Sequence, residues 1–273
     1  MKYLNHRVSS LVTAILFIVL FVWWLSLSPF DSSPENEHAR FVWGAFYQLI
    51  AIWGGISGLI AASVWGGGKS IIGKSLLMLS CGLLLQAFGQ SVYSFYNLFA
   101  QVEAPYPSLG DVGFFGSVLF YIYGAILLIK ASGSNVSMRR IPSLAIAIIF
   151  PVLMLLFSYL EFLQEYEIDW AYPLQVFLDF GYPLGQAFYV SLAIVVLVSS
   201  YRILGGIMRL PIIMLLIALV AQYFADFNFL FQFSRETWYV AGYGDILYML
   251  AYTVMALGLI QFGVVYKRMR TDI

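Results

Sequence analysis

Long apolar runs alternate with short polar breaks from one end of this chain to the other. Eight runs stand out, at about 9–29, 41–65, 74–99, 112–131, 141–162, 173–201, 210–232 and 244–266. Each approaches or exceeds the roughly 20 residues that cross a bilayer core as a helix. The breaks are too short for an extramembrane domain, so the pattern predicts one all-α membrane domain over 1–273 with eight transmembrane helices. Charges sort by sign between the breaks. Twelve of the fourteen Lys and Arg fall at one set of span ends, with Lys2 and Arg7, Lys69 and Lys74, Lys130, Arg139 and Arg140, Arg202 and Arg209, and Lys267, Arg268 and Arg270. Thirteen of the fourteen Asp and Glu fall at the other set or in the adjoining half-spans, among them Asp31, Glu35, Glu37, Glu103, Glu161, Glu165, Glu167, Asp169 and Glu236. Basic loops stay cytoplasmic, so a multi-pass cell-membrane protein with both termini cytoplasmic is expected.

Polar residues inside the spans are few and ordered. An Asp at a helix centre costs about 2.5–3.5 kcal/mol on the insertion scale, so such a residue faces the bundle interior or a cavity. Asp179 lies about two turns into the sixth span and Asp226 a turn or two into the seventh, both counted from the acidic end. Asp111 and Asp245 sit at the mouths of the fourth and eighth. Gln175, Asp179, Tyr182 and Gln186 follow helical spacing and make one stripe; Gln86, Gln90, Tyr93 and Asn97 make another. Gln222 shares a face with Asp226, and Tyr248 and Tyr252 share one with Asp245. All four stripes begin in the acidic half. If they converge, they line a polar, aromatic-walled pocket facing away from the cytoplasm. Pro183 removes the helical partner of the Asp179 carbonyl, which suits a cation, a protonated amine or a water there; Tyr182 could satisfy it instead. The glutamines also serve as interhelical hydrogen bonds, and Asp111 and Asp245 as caps of their helices.

The chain also matches itself. Gln90 to Phe99 parallels Gln222 to Phe231 at an offset of 132 residues, Gly110-Asp111 matches Gly244-Asp245, and Gly124 matches Gly258. Two parallel four-helix repeats, over about 1–132 and 141–266, are expected. Gly54-x-x-x-Gly58 reads as a close-packing face.

Composition narrows the function. Hydrophobic residues are 62% of the 273 and charged residues 10%, far below the quarter usual in soluble domains. The formal net charge of zero argues against nucleic acid, and membrane lipid is the surrounding solvent. The lone Cys81 allows no internal disulfide, and His6 and His38 lie outside the spans, so neither a bis-histidine haem nor a buried zinc site is expected. Gly66-Gly67-Gly68-Lys69-Ser70 lacks phosphate-loop spacing, and no span carries a central Lys for a retinal Schiff base. No cofactor or metal is expected. The first run is longer than a secretory leader's and lacks its cleavage site, so it reads as a retained helix. Trp23, Trp24, Trp43, Trp65, Trp170 and Trp238 fit interfacial belts.

Tyr106-Pro107-Ser108-Leu109-Gly110-Asp111 and Asp179-Phe180-Gly181-Tyr182-Pro183-Leu184-Gly185-Gln186 resemble motifs of an eight-helix membrane module found before bacterial diguanylate cyclases and histidine kinases. Ala225-Asp226 and Gly244-Asp245 resemble the acidic positions of its last two helices. The resemblance runs from the third span to the eighth and implies a sensor. Gln186 and Gln90 stand where that module carries acids, and the sequence given carries no effector domain before Ile273. A separate cytoplasmic partner is therefore expected to take the signal. A second resemblance, to lysoplasmalogenases, rests on Gly82 to Gln90 and on Ala225-Asp226; there Gln90 replaces the first of two acids, and an amide cannot act as general acid or base.

The sequence thus points to a sensor-type module binding a small or amphipathic ligand. The candidate contacts are Asp179, Asp226, Gln90, Gln186, Tyr182, Gln222, Asp111 and Asp245. A lysoplasmalogenase-like intramembrane hydrolase and a small transporter are the alternatives, the latter needing a polar path through inner half-spans that show none.

Overall fold

Ser70 shows how the sequence sets its helix boundaries. Its hydroxyl accepts the Gly73 amide at 2.8 Å and caps helix α4 (Ile71–Phe95). Just before it, Gly66 and Gly67 adopt φ of 91° and 53°, a left-handed turn that glycine makes without strain. The computed structural model describes residues 6–27, 36–131, 141–164, 166–200 and 207–271. Lys2, Asp31, Glu35, Arg139, Arg140, Glu165 and Arg202, on which the charge pattern partly rests, lie outside the described residues.

Every regular element among the described residues is helical. In chain order they are α1 (His6–Ser26), α2 (Glu37–Tyr47), α3 (Leu49–Val64), α4, α5 (Leu109–Ala131), α6 (Ile141–Ser158), α7 (Pro173–Ser200), α8 (Arg209–Ser234) and α9 (Tyr243–Thr271). Helices α2 and α3 meet at Gln48 and make one rod. Wider π-helical turns, Tyr96–Ala100 and Tyr159–Leu163, extend α4 and α6. Among the described residues, six rods are long and apolar enough to cross a membrane: Arg7–Ser26, Glu37–Val64, Ile71–Ala100, Leu109–Ala131, Arg209–Ser234 and Tyr243–Arg270. The chain is thus an all-helical protein of multi-pass membrane character. Its second rod begins four residues before the expected 41, because Glu37 and His38 already lie in the first turn of α2.

Helix packing closes a ring in the order α3, α4, α5, α7, α8, α9 and back to α3. Helix α1 lies outside it against α9 and α3, and α6 lies outside against α7. Gly54 and Gly58 let α3 approach closely: a methyl at Gly54 would meet Ala256 Cβ of α9 at 2.5 Å, and one at Gly58 would overlap Ser80 Oγ of α4. Below the ring's acidic end, Leu76, Leu79, Leu83, Leu128, Leu215, Leu219, Leu259 and Phe262 are fully buried and fill the centre. This half is a close-packed, largely apolar plug.

The tryptophans correct the belt reading. Trp170 is exposed, but Trp43 and Trp24 are buried. The Trp43 indole N–H donates to the Leu20 carbonyl at 2.9 Å, Trp24 to Ala241 at 2.9 Å, and Trp65 to Phe262 at 2.9 Å. Burial of an indole leaves its N–H needing an acceptor, and here it takes backbone carbonyls of neighbouring segments. Three belt candidates are cross-braces.

Candidate functional site

The ring opens at one end into a cavity of about 1000 Å³. Its wall comes from the first few turns of α2, α5, α7 and α9, the last few turns of α4 and α8, and the loops at 101–106 and 238–240. In an up-and-down bundle, these ends lie together. Four polar stripes reach it: Gln86, Gln90, Tyr93 and Asn97 from α4, Asp179, Tyr182 and Gln186 from α7, Asp226 from α8, and Asp245, Tyr248 and Tyr252 from α9. Asp111 of α5 joins them. Of the eight candidate residues, only Gln222 is absent from the wall; it stands behind Asp226 and donates to its Oδ1 at 3.0 Å.

Each aspartate is held by neutral donors. Asp111 is the third residue of α5, where its Oδ2 accepts the Ser108 amide at 2.7 Å, while its Oδ1 accepts the Tyr182 hydroxyl at 2.7 Å. Asp245 is the third residue of α9 and accepts the Ala241 amide at 2.7 Å. Both are therefore capping acids and cavity residues at once. Asp226 accepts the Tyr189 hydroxyl at 2.7 Å. Asp179 accepts Tyr106 at 2.7 Å and Tyr166 at 2.5 Å. Tyr182, weighed above as a partner of Asp179, turns to Asp111 instead. The hydrogen bond to Asp179 pushes the exposed-loop Tyr166 phenol up to about 12. Burial first, and then the same carboxylate, raise Tyr106 in the neighbouring loop.

The glutamines divide between wall and brace. Gln86 donates to Ser117 at 2.7 Å and accepts from Tyr252 at 3.2 Å, tying α4 to α5 and α9. Gln90 donates to the Gly44 carbonyl at 3.2 Å, tying α4 to α2. Gln186 is buried against the cavity.

Several wall residues escaped the stripe argument. Arg40 of α2 is buried, lines the cavity and lies over the Tyr239 ring at 5.3 Å. One signal pointed to it: Arg40 and Arg235 are the two basic residues that break the charge pattern. Arg235 pairs with Glu161 at 2.6 Å across the acidic face. Tyr106 and Tyr166 were invisible to helical spacing because they sit in loops. Tyr189 continues the α7 stripe one step past Gln186, where the stripe had been ended, and its hydroxyl reaches Asp226 on the next helix.

Chemically the wall offers carboxylates, phenol rings and one guanidinium around a space of ligand size. Known protein families, curated proteins and solved structures provide no match to this chain.

Proposed function

We propose that this protein is an integral membrane ligand-binding module of sensor type. Eight spans place both termini in the cytoplasm, and the cavity opens to the outer half of the membrane. A small or amphipathic molecule binds there, and a separate cytoplasmic protein reads the occupied state. The observation that carries this reading is the convergence of the four stripes, with Asp111, Asp179, Asp226 and Asp245, on one cavity. Buried carboxylates are a poor packing material, and structural glue alone would leave no space between them.

Helix α9 suits the transmission step. It carries Asp245, Tyr248 and Tyr252 at one end and Lys267, Arg268 and Arg270 at the other, and its 29 residues span about 43 Å as one helix. A ligand favouring one packing of α9 would shift the exposed basic end with it. The two-repeat reading has support in the ring order, which is unchanged when α3, α4 and α5 are exchanged for α7, α8 and α9. Leu79 packs on Gly124 just as Leu215 packs on Gly258. That pairing moves the register of α4 and α8 by one turn from the offset of 132, and sets Gln90 opposite Asp226 and Gln86 opposite Gln222. The hydrolase reading gains from the same cavity, since three further aspartates could replace the acid missing at Gln90. The transporter reading loses from the apolar plug beneath.

A thermal-shift screen of detergent-purified wild type and Asp179→Asn against cations, amines and lysolipids, with mass spectrometry for products, tests the function. Stabilisation of wild type alone without turnover supports the binding module. Turnover supports the hydrolase. No shift with any compound, in a variant as stable as wild type, ends the proposal.

A further inference from the structure

Among the described residues, the cavity wall carries six carboxylate side chains, of Glu37, Glu103, Asp111, Asp179, Asp226 and Asp245, against one guanidinium, Arg40. The floor is the most one-sided part. Asp226 and Asp245 are buried, and their donors are the phenols of Tyr189 and Tyr248, an amide side chain and a backbone N–H, all neutral. Neutral donors stabilise a carboxylate without cancelling its charge, so in a low-dielectric wall each acid takes either a proton or a bound cation. Beside Asp226, the buried Tyr121 hydroxyl has no hydrogen-bond partner among the described residues. The chemistry at this floor is incomplete.

Aromatic rings pack near the two carboxylates. Tyr47 and Tyr252 stack with centroids 6.0 Å apart, Tyr248 and Tyr252 lie at 6.1 Å, and all three line the cavity. Tyr252 is within electrostatic range of both Asp226 and Asp245. The Tyr252 hydroxyl is committed to Gln86 and its ring is nearly covered by those of Tyr47 and Tyr248, so half-buried Tyr248 presents most of the ring surface left for a ligand. Ring faces attract cations, most strongly where water is excluded. A chelated metal fits less well: among the described residues, no three His, Cys, Asp or Glu side chains gather to hold one.

We infer that the floor of the cavity, between Asp226 and Asp245 and against Tyr47, Tyr248 and Tyr252, seats an organic ammonium group. This rests on the ligand-binding reading above and names the chemistry of its ligand. A free quaternary amine and an amphiphile bearing the same headgroup share that chemistry, and the cavity volume leaves room for part of a chain beyond the headgroup.

Equilibrium titration of the full chain in lipid nanodiscs separates the possibilities, using tetramethylammonium, decyltrimethylammonium, decyl sulfate and decyl maltoside. The ammonium probes are expected to bind, and the sulfate and maltoside not to compete. Asp226→Asn and Asp245→Asn each weaken ammonium binding about tenfold or more, and Tyr252→Leu weakens it roughly 2- to 30-fold. Binding of both ammonium probes points to a free amine, and binding of the decyl compound alone points to an amphiphile headgroup. Asp245 also caps α9, so a misfolded Asp245→Asn leaves the decision to Asp226→Asn and to competition on wild type. Ammonium affinity unchanged in Asp226→Asn overturns the inference. Preference for the sulfate or maltoside overturns it while leaving a ligand-binding cavity. No binding by any probe overturns both readings together.

Discussion

Replacing Gly54 by alanine tests the packing that holds the cavity floor in place. The new methyl carbon would lie 2.5 Å from Ala256 Cβ, 2.9 Å from Leu83 Cδ2 and 3.0 Å from Ala256 Cα. Carbon atoms pack best at about 3.5–4.0 Å, so the overlap with Ala256 is about 1–1.5 Å. Leu83 could rotate away, but Ala256 has no side-chain freedom and its Cα is backbone. Helices α3 and α9 must therefore separate, and overpacking of this kind costs about 1–3 kcal/mol. The strain lies next to the Tyr47–Tyr252 stack, since Ala256 is one turn from Tyr252 on α9. Gly116→Ala is the matched control: its methyl would meet only Leu85 atoms at 3.5 Å and 4.0 Å, ordinary contact. Replacing glycine there removes up to about 1 kcal/mol of helix-propensity penalty. Thermal unfolding of both variants in one neutral detergent, followed by intrinsic fluorescence, makes the comparison. Gly54→Ala should unfold well below wild type and Gly116→Ala at or above it. Equal midpoints for the two variants would refute the close α3–α9 approach.

Other substitutions probe the wall and its rim. Tyr189→Phe removes a donor from buried Asp226, and a double-mutant cycle with Asp226→Asn should give a coupling of about 0.6 kcal/mol, up to about 1.7; zero coupling would contradict the bond. The Tyr166 phenol is raised above its ordinary value near 10 to about 12, so its bond to Asp179 is fully present below pH 10 and lost as pH climbs through about 12. Difference absorbance between wild type and Tyr166→Phe should show that late phenol, and a phenol ionising near 10 would contradict it. Glu161→Gln breaks the pair with Arg235, whose side chain is 46% exposed, so a loss of only about 0.2–1 kcal/mol is expected in thermal unfolding. Ala241 holds a φ of 59°, a conformation that costs a side-chain-bearing residue about 1–2 kcal/mol; Ala241→Gly should leave the thermal midpoint unchanged or raised, and a clear drop would argue against the strained turn.

Residues on one helix were legible, and residues meeting across helices were not. The spacing of Gln86, Gln90, Tyr93 and Asn97 is a property of α4 alone, so periodicity could place them on one face. The meeting of Tyr106 and Tyr166 at Asp179 depends on how two loops fold over the bundle, which no period encodes. Arg40 was visible as an exception in the charge count, but counting majorities hides exceptions. Trp43 and Trp65 sit near span ends, where lipid headgroups and neighbouring helices are equally available partners; only the ring order decides. If the two halves are repeats, residue identities on aromatic-rich helices match about as well at either of two neighbouring turns, and the seating of Leu79 at Gly124 and Leu215 at Gly258 favours the register one turn from the offset of 132.

The indole bonds of Trp24, Trp43 and Trp65 give the protein a built-in optical gauge. Trp24 is tied to the Ala241 carbonyl just before α9, and Trp65 to the Phe262 carbonyl near that helix's far end. An indole's emission responds to the polarity and donors around it, so each reports on its own seam. Variants retaining only Trp24 or only Trp65 would show, without any attached dye, whether the two ends of α9 shift together or the cavity end moves alone.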